Sequence, residues 1–333
     1  MQTASDHRLA LVQQWAAVQL RTDSFSLAPA SEDASFRRYF RIGCGGRTWI
    51  VMDAPPERED CQAFVRVAKL MREAGLHVPE VLAQDVERGF LLLTDLGTTT
   101  YLKALNDDNA DRLFADAIAA LITLQRASRP DRLPPYDGVL LKRELSLFPD
   151  WYLGRHLNMT PDPVARETVE SIGVRLVACA LGQPQVYVHR DYMPRNLMLS
   201  DPNPGILDFQ DAVFGPITYD VVSLFRDAFV SWDEARMREW VARYWEAAKR
   251  AALPVQSDFR AFYRDLEWMG LQRHLKVLGI FARIHYRDGK PGYLEDTPRF
   301  VGYARAVCAR YAELTPMLAL FDSIERHAAG KRS

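Results

Sequence analysis

The sequence lacks the features that mark several common classes of protein. Lysine plus arginine (42) and aspartate plus glutamate (43) nearly cancel, to a formal net charge of -1, so no basic excess is present that would bind a nucleic acid. The four cysteines are far apart and form no C-x-x-C pair, which argues against a disulfide framework or a cysteine zinc site and favours a reducing compartment. No apolar run approaches the roughly 18 residues that a membrane span requires. Residues 1–20 read as an amphipathic helix and not as a signal peptide. These absences predict a cytoplasmic protein without nucleic-acid or membrane partners.

The composition that remains favours a folded chain of two lobes. Hydrophobic residues make up 48% and charged residues 26% of the 333 residues, close to the average of globular proteins. A chain of this length suggests two domains of about 100–200 residues each. Short β-like runs dominate before residue 96 and helical spacing dominates after it. We therefore predict an α+β fold with a small β-rich N-lobe (1–96) and a larger helical C-lobe (97–333).

Hydrophobic periodicity and turn residues predict the elements of each lobe. The predicted strands are 36–42, 48–52, 81–82 and 90–93 in the N-lobe, and 186–189 and 205–209 in the C-lobe. The predicted helices are 59–74 in the N-lobe, and 109–126, 168–181, 219–229, 232–252, 256–284 and 298–326 in the C-lobe.

The most informative stretch follows the first predicted strand of the C-lobe. It reads H-R-D-x-x-x-x-N from His189 to Asn196, and Ile-Leu-Asp-Phe follows with its Asp208 on the next strand. A carboxylate on such a loop can orient an acceptor hydroxyl and take its proton, which makes Asp191 the candidate catalytic residue. Mg²⁺ takes hard oxygen ligands, so Asn196 and Asp208 are the candidate metal ligands. Each short motif alone is common in structural turns, but their ordered combination favours phosphoryl transfer from ATP with Mg²⁺.

These residues resemble the aminoglycoside phosphotransferase family, the bilobal relatives of protein kinases. The family pattern I-D-x-x-D corresponds here to Ile206-Leu207-Asp208-Phe209-Gln210-Asp211. The family's G-P-x-x-Y-D stretch is present at 215–220. The resemblance extends over about residues 31–321. It implies a protein-kinase-like fold, a structural role for Asp220 beneath the catalytic loop, and an adenine-binding hinge at the backbone of Thr94 and Leu96. A simple apolar strand and turn is the competing interpretation of that hinge.

Residues 33–41, 51–57 and 271–283 are similar to the cell-wall sugar kinase branch of this family. That resemblance implies ATP-dependent phosphorylation of the anomeric hydroxyl of N-acetylmuramate and N-acetylglucosamine to the α-1-phosphates, in peptidoglycan recycling. It also implies a functional link to a sugar-1-phosphate uridylyltransferase. Composition and periodicity carry no information about the sugar.

The sequence departs from kinase-like folds at the strand that normally carries a phosphate-binding lysine. Residues 49–53 contain neither lysine nor arginine. The nearest cations are Arg37, Arg38 and Arg41, and we predict that at least one of them binds the ATP phosphates. Solvated charges on a strand face are the competing interpretation. Glu59 is a candidate for the helix glutamate that normally pairs with the lysine.

The acceptor site is the least determined part of the sequence. Arg273 and His274 are candidate substrate residues, because the lactyl carboxylate of N-acetylmuramate needs a cation. Asp211 is a third candidate, for contact with a metal or with the sugar. Two other functions remain open: a kinase of the same fold for an aminoglycoside, choline or a homoserine-like acceptor, and a binding pseudokinase without activity. The basic run 273–276 favours the acidic sugar, whereas the missing strand lysine is the one feature that supports the pseudokinase.

Overall fold

The computed structural model describes residues 2–31, 36–227, 229–290 and 292–330. Contacts between residues divide the chain into two units, Met1–Leu105 with Arg195–Asp211 and Asn106–Pro194 with Ala212–Ser333. No helix within the described ranges has the length and apolarity to cross a membrane.

The first unit is built on a five-stranded antiparallel sheet in the order β1-β2-β3-β5-β4. Its strands are β1 (Ser26–Ser31), β2 (Arg38–Cys44), β3 (Arg47–Asp53), β4 (Val81–Asp85) and β5 (Phe90–Thr94), and its helices are α1 (Gln2–Leu20), α2 (Cys61–Glu73) and α3 (Tyr101–Ala104). The predicted hairpin is confirmed, since β2 pairs with β3 from Arg38↔Asp53 to Cys44↔Arg47. Gly45 and Gly46 make its turn with φ of 57° and 77°, values that glycine adopts without a steric cost.

One face of this sheet is covered by α1. Val12, Trp15 and Ala16 of the helix are buried against apolar side chains of β2, β3 and β5 such as Ile42 and Val51. The predicted second helix is confirmed as α2, whose side-chain cap is Asp60. Its buried residues recur every three or four positions, which is the spacing that gives a helix one apolar face.

A short hairpin, β7 (Leu197–Met198) with β8 (Gly205–Ile206), belongs to the first unit although the sequence analysis had placed it in the C-lobe. Its backbone explains the difference: Leu199 N donates to Thr99 O at 2.9 Å and Ile206 N donates to His77 O at 2.8 Å. The predicted strand 205–209 is therefore too long, since the ladder ends at Ile206.

The second unit is mainly helical. Its helices are α4 (Ala110–Arg126), α5 (Gly138–Leu147), α6 (Pro163–Gly182), α7 (Tyr219–Phe225), α8 (Glu234–Arg250), α9 (Phe259–Asp288), α10 (Thr297–Arg310) and α11 (Met317–Gly330), and its strands are β6 (Gln185–Val188) and β9 (Val213–Pro216). Phe148–His156 forms a π-helix directly after α5.

The core of this unit surrounds α9. Buried side chains from the π-helix, α6, α10 and α11 pack around Leu271, Leu275 and Leu278. Gly279 permits the closest approach, because a Cβ there would lie 2.3 Å from the backbone of Leu147. The long helix is thereby held against the last residue of α5.

Three predicted features of this unit were wrong or missed. The predicted helix 298–326 is two helices, since Pro316 lacks an N–H and disfavours helix at the preceding residue. The helix predicted over 219–229 ends at Phe225. The sequence analysis did not predict α5 or the π-helix that follows it.

Candidate active site

The predicted catalytic loop follows β6, which pairs with β9 from Gln185↔Pro216 to Val188↔Val213. The carboxylate of Asp220 accepts hydrogen bonds from the backbone N–H of His189 at 2.6 Å and of Arg190 at 3.0 Å. Asp220 is fully buried in the first turn of α7. Burial raises its pKa to about 7, against the effect of the two N–H donors. This is the bracing contact that the family resemblance implies.

The loop backbone is further fixed around Asp191. Asp191 N donates to His189 Nδ1 at 3.3 Å, and Met193 N donates to Asp191 O at 3.0 Å. His189 is fully buried, and its ring makes an edge contact with Tyr192 at 5.6 Å. The histidine therefore supports the backbone of the loop.

A buried ion cluster holds the arginine that precedes Asp191. Arg190 has φ of 76°, a left-handed conformation that costs a non-glycine residue roughly 1–3 kcal/mol. Its Nη2 lies 2.5 Å from Glu144 Oε1, and Lys276 Nζ lies 3.0 Å from the same oxygen. Tyr136 donates its hydroxyl to the other oxygen of Glu144.

The charges in this cluster stabilise one another. Burial alone would raise the pKa of Glu144, but Lys276 and Arg190 outweigh it and lower that pKa to about 2. Lys276 also donates to the hydroxyl of Tyr219 at 2.9 Å. Glu144 has no motif around it in the sequence and lies on α5, a helix that was not predicted, so its role is visible only in the structure.

The two candidate metal ligands lie together in the first unit. Asn196 ends a 3₁₀ turn (Pro194–Asn196), and its carbonyl accepts from Leu207 N at 2.9 Å across the hairpin. Its Nδ2 lies 3.4 Å from Asp208 Oδ2, while Gln210 Nε2 donates to Asp208 Oδ1 at 2.8 Å. Asp208 has φ of 63°, a second strained non-glycine residue of the kind that clusters at functional sites.

This pair suits Mg²⁺ by its chemistry, since it offers one amide oxygen and one carboxylate. Among the described residues no group of three or more His, Cys, Asp or Glu side chains is placed to hold a metal. A bound ion would therefore take its other ligands from water and phosphate, as Mg²⁺ usually does in nucleotide sites.

The three candidate phosphate-binding arginines have different surroundings. Arg37 Nε lies 3.9 Å from Glu59 Oε2, and its Nη2 lies 3.9 Å from Asp208 Oδ1. Glu59 also accepts from Phe36 N at 3.1 Å. Arg37 is thus the candidate cation that the structure brings to a predicted metal ligand. Residues 33–35 of the resemblance lie outside the described residues.

Arg38 and Arg41 each have a close carboxylate of their own. Arg38 Nε donates to Asp53 Oδ2 at 2.9 Å, and Arg8 of α1 donates to the other oxygen of that buried carboxylate at 3.0 Å. Arg41 donates to both oxygens of Asp95, at 2.6 and 3.0 Å. The first pair connects β2 to strand β3, and the second connects β2 to the residue that follows β5.

The backbone amide of Thr94, in the predicted adenine-binding hinge, already donates a hydrogen bond. Thr94 N donates to Glu80 O at 3.0 Å, and Thr94 Oγ1 accepts from Glu80 N at 2.9 Å. Leu96 is buried beside Gly205, where an added Cβ would lie 2.9 Å from its Cδ1. An adenine contact at Thr94 would therefore have to use a group other than its amide.

The candidate substrate residues of α9 are buried. Arg273 is 3% exposed, and its Nη2 lies 4.0 Å from the sulfur of Met193. His274 contacts the rings of Phe300 at 5.4 Å and Tyr303 at 5.3 Å. Burial, Arg226 and Arg273 hold the pKa of His274 well below its usual range, so this imidazole is neutral.

The third candidate, Asp211, belongs to the first unit. It is exposed, and its Oδ2 lies 3.4 Å from Gln210 Nε2. Gln210 thereby joins Asp211 to Asp208, the candidate metal ligand.

Comparison with protein families and curated sequences gives one consistent result. The family described as "Phosphotransferase enzyme family" matches residues 26–255. Proteins named "N-acetylmuramate/N-acetylglucosamine kinase" are 54% identical over 303 residues in Pseudomonas putida (91% of this chain, 89% of that protein), and 48% identical over 305 residues in Neisseria meningitidis serogroup B (89% and 90%).

Solved structures with the same fold include choline kinase LicA from Streptococcus pneumoniae. Its TM-score is 0.67 at 14% identity, over 90% of this chain and 99% of that chain. ADP-bound aminoglycoside phosphotransferase APH(2'')-Ib has a TM-score of 0.59 at 14% identity, over 88% and 97%. The predicted protein-kinase-like fold is confirmed.

Proposed function

The chain belongs to the phosphotransferase enzyme family, and from this we propose that it transfers the γ-phosphoryl group of ATP to N-acetylmuramate and N-acetylglucosamine. The observation that carries the proposal is a sequence identity of 48–55% to kinases named for these sugars. The matches cover about nine tenths of this chain and of each relative. The acceptor is the anomeric hydroxyl, and the products are the α-1-phosphates.

Asp191 is the catalytic residue in this proposal. Phosphoryl transfer needs little covalent chemistry from the protein, so positioning of the acceptor and stabilisation of charge dominate. Asp191 would orient the C1 hydroxyl and accept its proton, which contributes roughly 10²–10⁴-fold in rate for a general base. The contacts of Asp220 and Arg190 fix the backbone on either side of His189 and support this role.

Asn196 and Asp208 would hold Mg²⁺. The ion supplies positive charge that neutralises the phosphate oxygens of ATP during transfer. Gln210, which donates to Asp208 at 2.8 Å, would keep the carboxylate oriented when the nucleotide enters.

Arg37 is the preferred phosphate-binding cation of this proposal. Its guanidinium lies 3.9 Å from Glu59 and 3.9 Å from the candidate metal ligand Asp208, whereas Arg41 is hydrogen-bonded to Asp95. A phosphate beside a metal ion on Asp208 would therefore lie within reach of Arg37. The backbone of Thr94 and Leu96 remains the predicted adenine hinge, with the Thr94 amide excluded by its bond to Glu80.

The biological setting is part of the same proposal. A glycosyl 1-phosphate is the substrate class of sugar-1-phosphate uridylyltransferases, so such an enzyme would consume the product. A cytoplasmic location follows from the use of ATP.

The test is turnover of a panel of free acceptors by the purified chain with ATP and Mg²⁺. The panel contains N-acetylmuramate, N-acetylglucosamine, choline, kanamycin and homoserine, and ADP release is measured. The expected result is turnover of the two sugars, with products labile to mild acid, as glycosyl phosphates are. The methyl glycoside of N-acetylglucosamine, which has no free C1 hydroxyl, is the matched control and should not react.

Other outcomes distinguish the alternatives. Turnover of the methyl glycoside, or an acid-stable sugar phosphate, would place the transfer on another hydroxyl. Turnover of choline or kanamycin alone would favour a different small-molecule kinase. ATP binding without turnover of any acceptor would support the pseudokinase interpretation.

A further inference from the structure

We infer that Arg273 forms an anion subsite that binds the lactyl carboxylate of N-acetylmuramate and thereby determines the preference between the acidic and the neutral sugar. The inference rests on the proposed function, since it names the residue that recognises one of the proposed acceptors. It concerns specificity and assigns no part of the chemical step to Arg273.

The unusual feature of Arg273 is a buried charge that has no ion pair with any residue that the structure describes. The residue is 3% exposed in the middle of α9, and its Nη1 has no hydrogen-bond partner among the residues that the structure describes. The recorded contact of its Nη2 is the thioether of Met193 at 4.0 Å, and a thioether is only a weak acceptor. A buried guanidinium without an ionic partner is energetically costly, so an anionic ligand that pairs with it gains binding energy.

The other buried cations nearby do not share this feature. Lys276, one turn further along α9, lies 3.0 Å from Glu144, and Arg190 lies 2.5 Å from the same carboxylate. Arg226 lies 3.9–4.0 Å from Glu234 and Glu267. Those three cations therefore lie near carboxylates of the protein, whereas the recorded contact of Arg273 is the thioether sulfur of Met193.

A nearby carboxylate does not take the role of partner. The charge of Arg273 acts on Asp220 and lowers its pKa, although less than burial raises it. Both oxygens of Asp220 already accept the amides of His189 and Arg190. The position of Asp220 is thereby committed to the catalytic loop.

The location of Arg273 fits a sugar whose C1 hydroxyl meets Asp191. Met193, which Arg273 contacts, lies two residues after Asp191 and donates its amide to the Asp191 carbonyl. The lactyl ether of N-acetylmuramate is on C3, two ring positions from C1, and N-acetylglucosamine has a hydroxyl there. The two sugars therefore differ by one carboxylate, and a planar guanidinium is the side chain that binds a carboxylate with two parallel hydrogen bonds.

His274 does not belong to this subsite. Successive residues of a helix point about 100° apart, and the ring of His274 contacts Phe300 and Tyr303 of α10 instead of Met193. Of these two neighbouring residues, Arg273 alone therefore binds the lactyl carboxylate.

The first test uses the wild-type chain and chemistry on the substrate. The methyl ester and the amide of N-acetylmuramate keep the lactyl group but lose its charge. We expect KM for both to be about 10- to 100-fold higher than for the acid, the range of a charged hydrogen bond worth 1.5–3 kcal/mol, with kcat changed much less. Equal KM for the acid and its amide would overturn the inference whatever any variant does.

The second test compares Arg273→Met and Arg273→Lys with Arg264→Met. Arg264 is a half-exposed cation of the same helix that pairs with Glu313. Arg273→Met should raise KM for N-acetylmuramate about 10- to 100-fold and leave KM for N-acetylglucosamine within about threefold. Arg273→Lys should recover part of the loss, and Arg264→Met should change neither ratio. An equal rise of KM for both sugars, or a loss of kcat alone, would overturn the inference.

The two proposals fail in different ways. Turnover of neither sugar by the wild-type chain would remove the proposed function and this inference with it. Turnover of both sugars, without discrimination by the carboxylate, would remove this inference and leave the proposed function standing.

Discussion

The guanidinium of Arg37 lies 3.9 Å from the carboxylate of Asp208. The same side chain lies 3.9 Å from Glu59, which precedes helix α2. In protein kinases a strand lysine pairs with a helix glutamate and reaches the phosphates beside the metal-binding aspartate. Here an arginine just before β2 lies between the corresponding kinds of carboxylate, although residues 49–53 of strand β3, where the lysine would lie, contain neither lysine nor arginine.

The first prediction concerns this arginine. Arg37→Ala should raise KM for ATP by about 10- to 100-fold, because a charged hydrogen bond to phosphate is lost, and should change KM for the sugar far less. Arg37→Lys should restore part of the affinity. Initial rates at varied ATP with saturating sugar measure the effect.

Arg41→Ala is the comparison variant, because Arg41 is already hydrogen-bonded to Asp95. It should lower thermal stability more than it changes KM for ATP. If the alanine variants of Arg37, Arg38 and Arg41 all keep wild-type ATP kinetics, the phosphate-binding group lies elsewhere.

The extent to which this site could be predicted depends on how far its parts are separated along the chain. Asp191, Asn196 and Asp208 are near one another in sequence, so their spacing alone suggests their chemistry. Glu144 is 46 residues from Arg190 and lies on a helix with no clear signal, so only tertiary packing reveals it. The same holds for the unpaired state of Arg273, since no sequence pattern tells whether a charged side chain is solvated or buried.

In the fold, likewise, elements set by local residues could be predicted, and contacts between distant residues could not. Turn residues and apolar periodicity predicted the strands of the hairpin β2–β3 and helix α2 from local residues. The assignment of Arg195–Asp211 to the first unit depends on backbone hydrogen bonds from Leu199 to Thr99 and from Ile206 to His77, 100 and 129 residues away. Such long-range pairing leaves no trace in local spacing.

The second prediction concerns the candidate metal site. Asp208→Ala should abolish Mg²⁺-dependent turnover and weaken binding of ATP in the presence of Mg²⁺, because the carboxylate of the pair is lost. Binding of free ATP without Mg²⁺ should change little. Calorimetric titration of ATP with and without Mg²⁺ distinguishes binding of the magnesium complex from binding of free ATP.

Asp201→Asn, in the exposed turn between β7 and β8, is the control on the same hairpin and should behave as wild type. Equal Mg²⁺ dependence in wild type and Asp208→Ala would remove Asp208 from the metal site.

The third prediction concerns the buried cluster around Glu144. Its pKa is lowered to about 2, because Lys276 and Arg190 together outweigh the effect of burial. A lowered pKa in the folded state contributes stability above the ordinary value and loses it as the pH falls toward the folded value. Glu144→Gln should therefore reduce the free energy of unfolding at pH 7 by about 3 kcal/mol, the scale for breaking a buried ion pair.

The difference from wild type should shrink as the pH falls from about 4.5 toward 2. Turnover should fall as well, with KM for ATP unchanged, because Arg190 loses its partner next to Asp191. Denaturant unfolding at several pH values measures the first effect, with Glu246→Gln in an exposed pair with Arg250 as the control. A difference that does not depend on pH would contradict the assignment of this charge.

The fourth prediction concerns Asp220, whose pKa burial raises to about 7 despite two amide donors. A raised pKa in the folded state contributes stability below the ordinary value and loses it as the pH rises through the folded value. The wild type should therefore lose stability relative to Asp220→Asn between about pH 4 and pH 7. Thermal unfolding of both proteins over this range tests the sign, and a constant difference would show that Asp220 does not titrate there.

The last prediction concerns Asp191. Asp191→Asn keeps the size of the side chain and removes its basicity, so kcat should fall while KM for ATP and the unfolding temperature stay near wild type. Loss of a general base costs roughly 10²–10⁴-fold. An anomeric hydroxyl is more acidic than an ordinary alcohol and needs less help to lose its proton, so we expect the low end of that range. Asp233→Asn, which removes the charge of a helix cap on α8, controls for the loss of one carboxylate in the same unit. An unchanged kcat in Asp191→Asn would remove this residue from proton transfer and leave phosphate activation as the main source of catalysis.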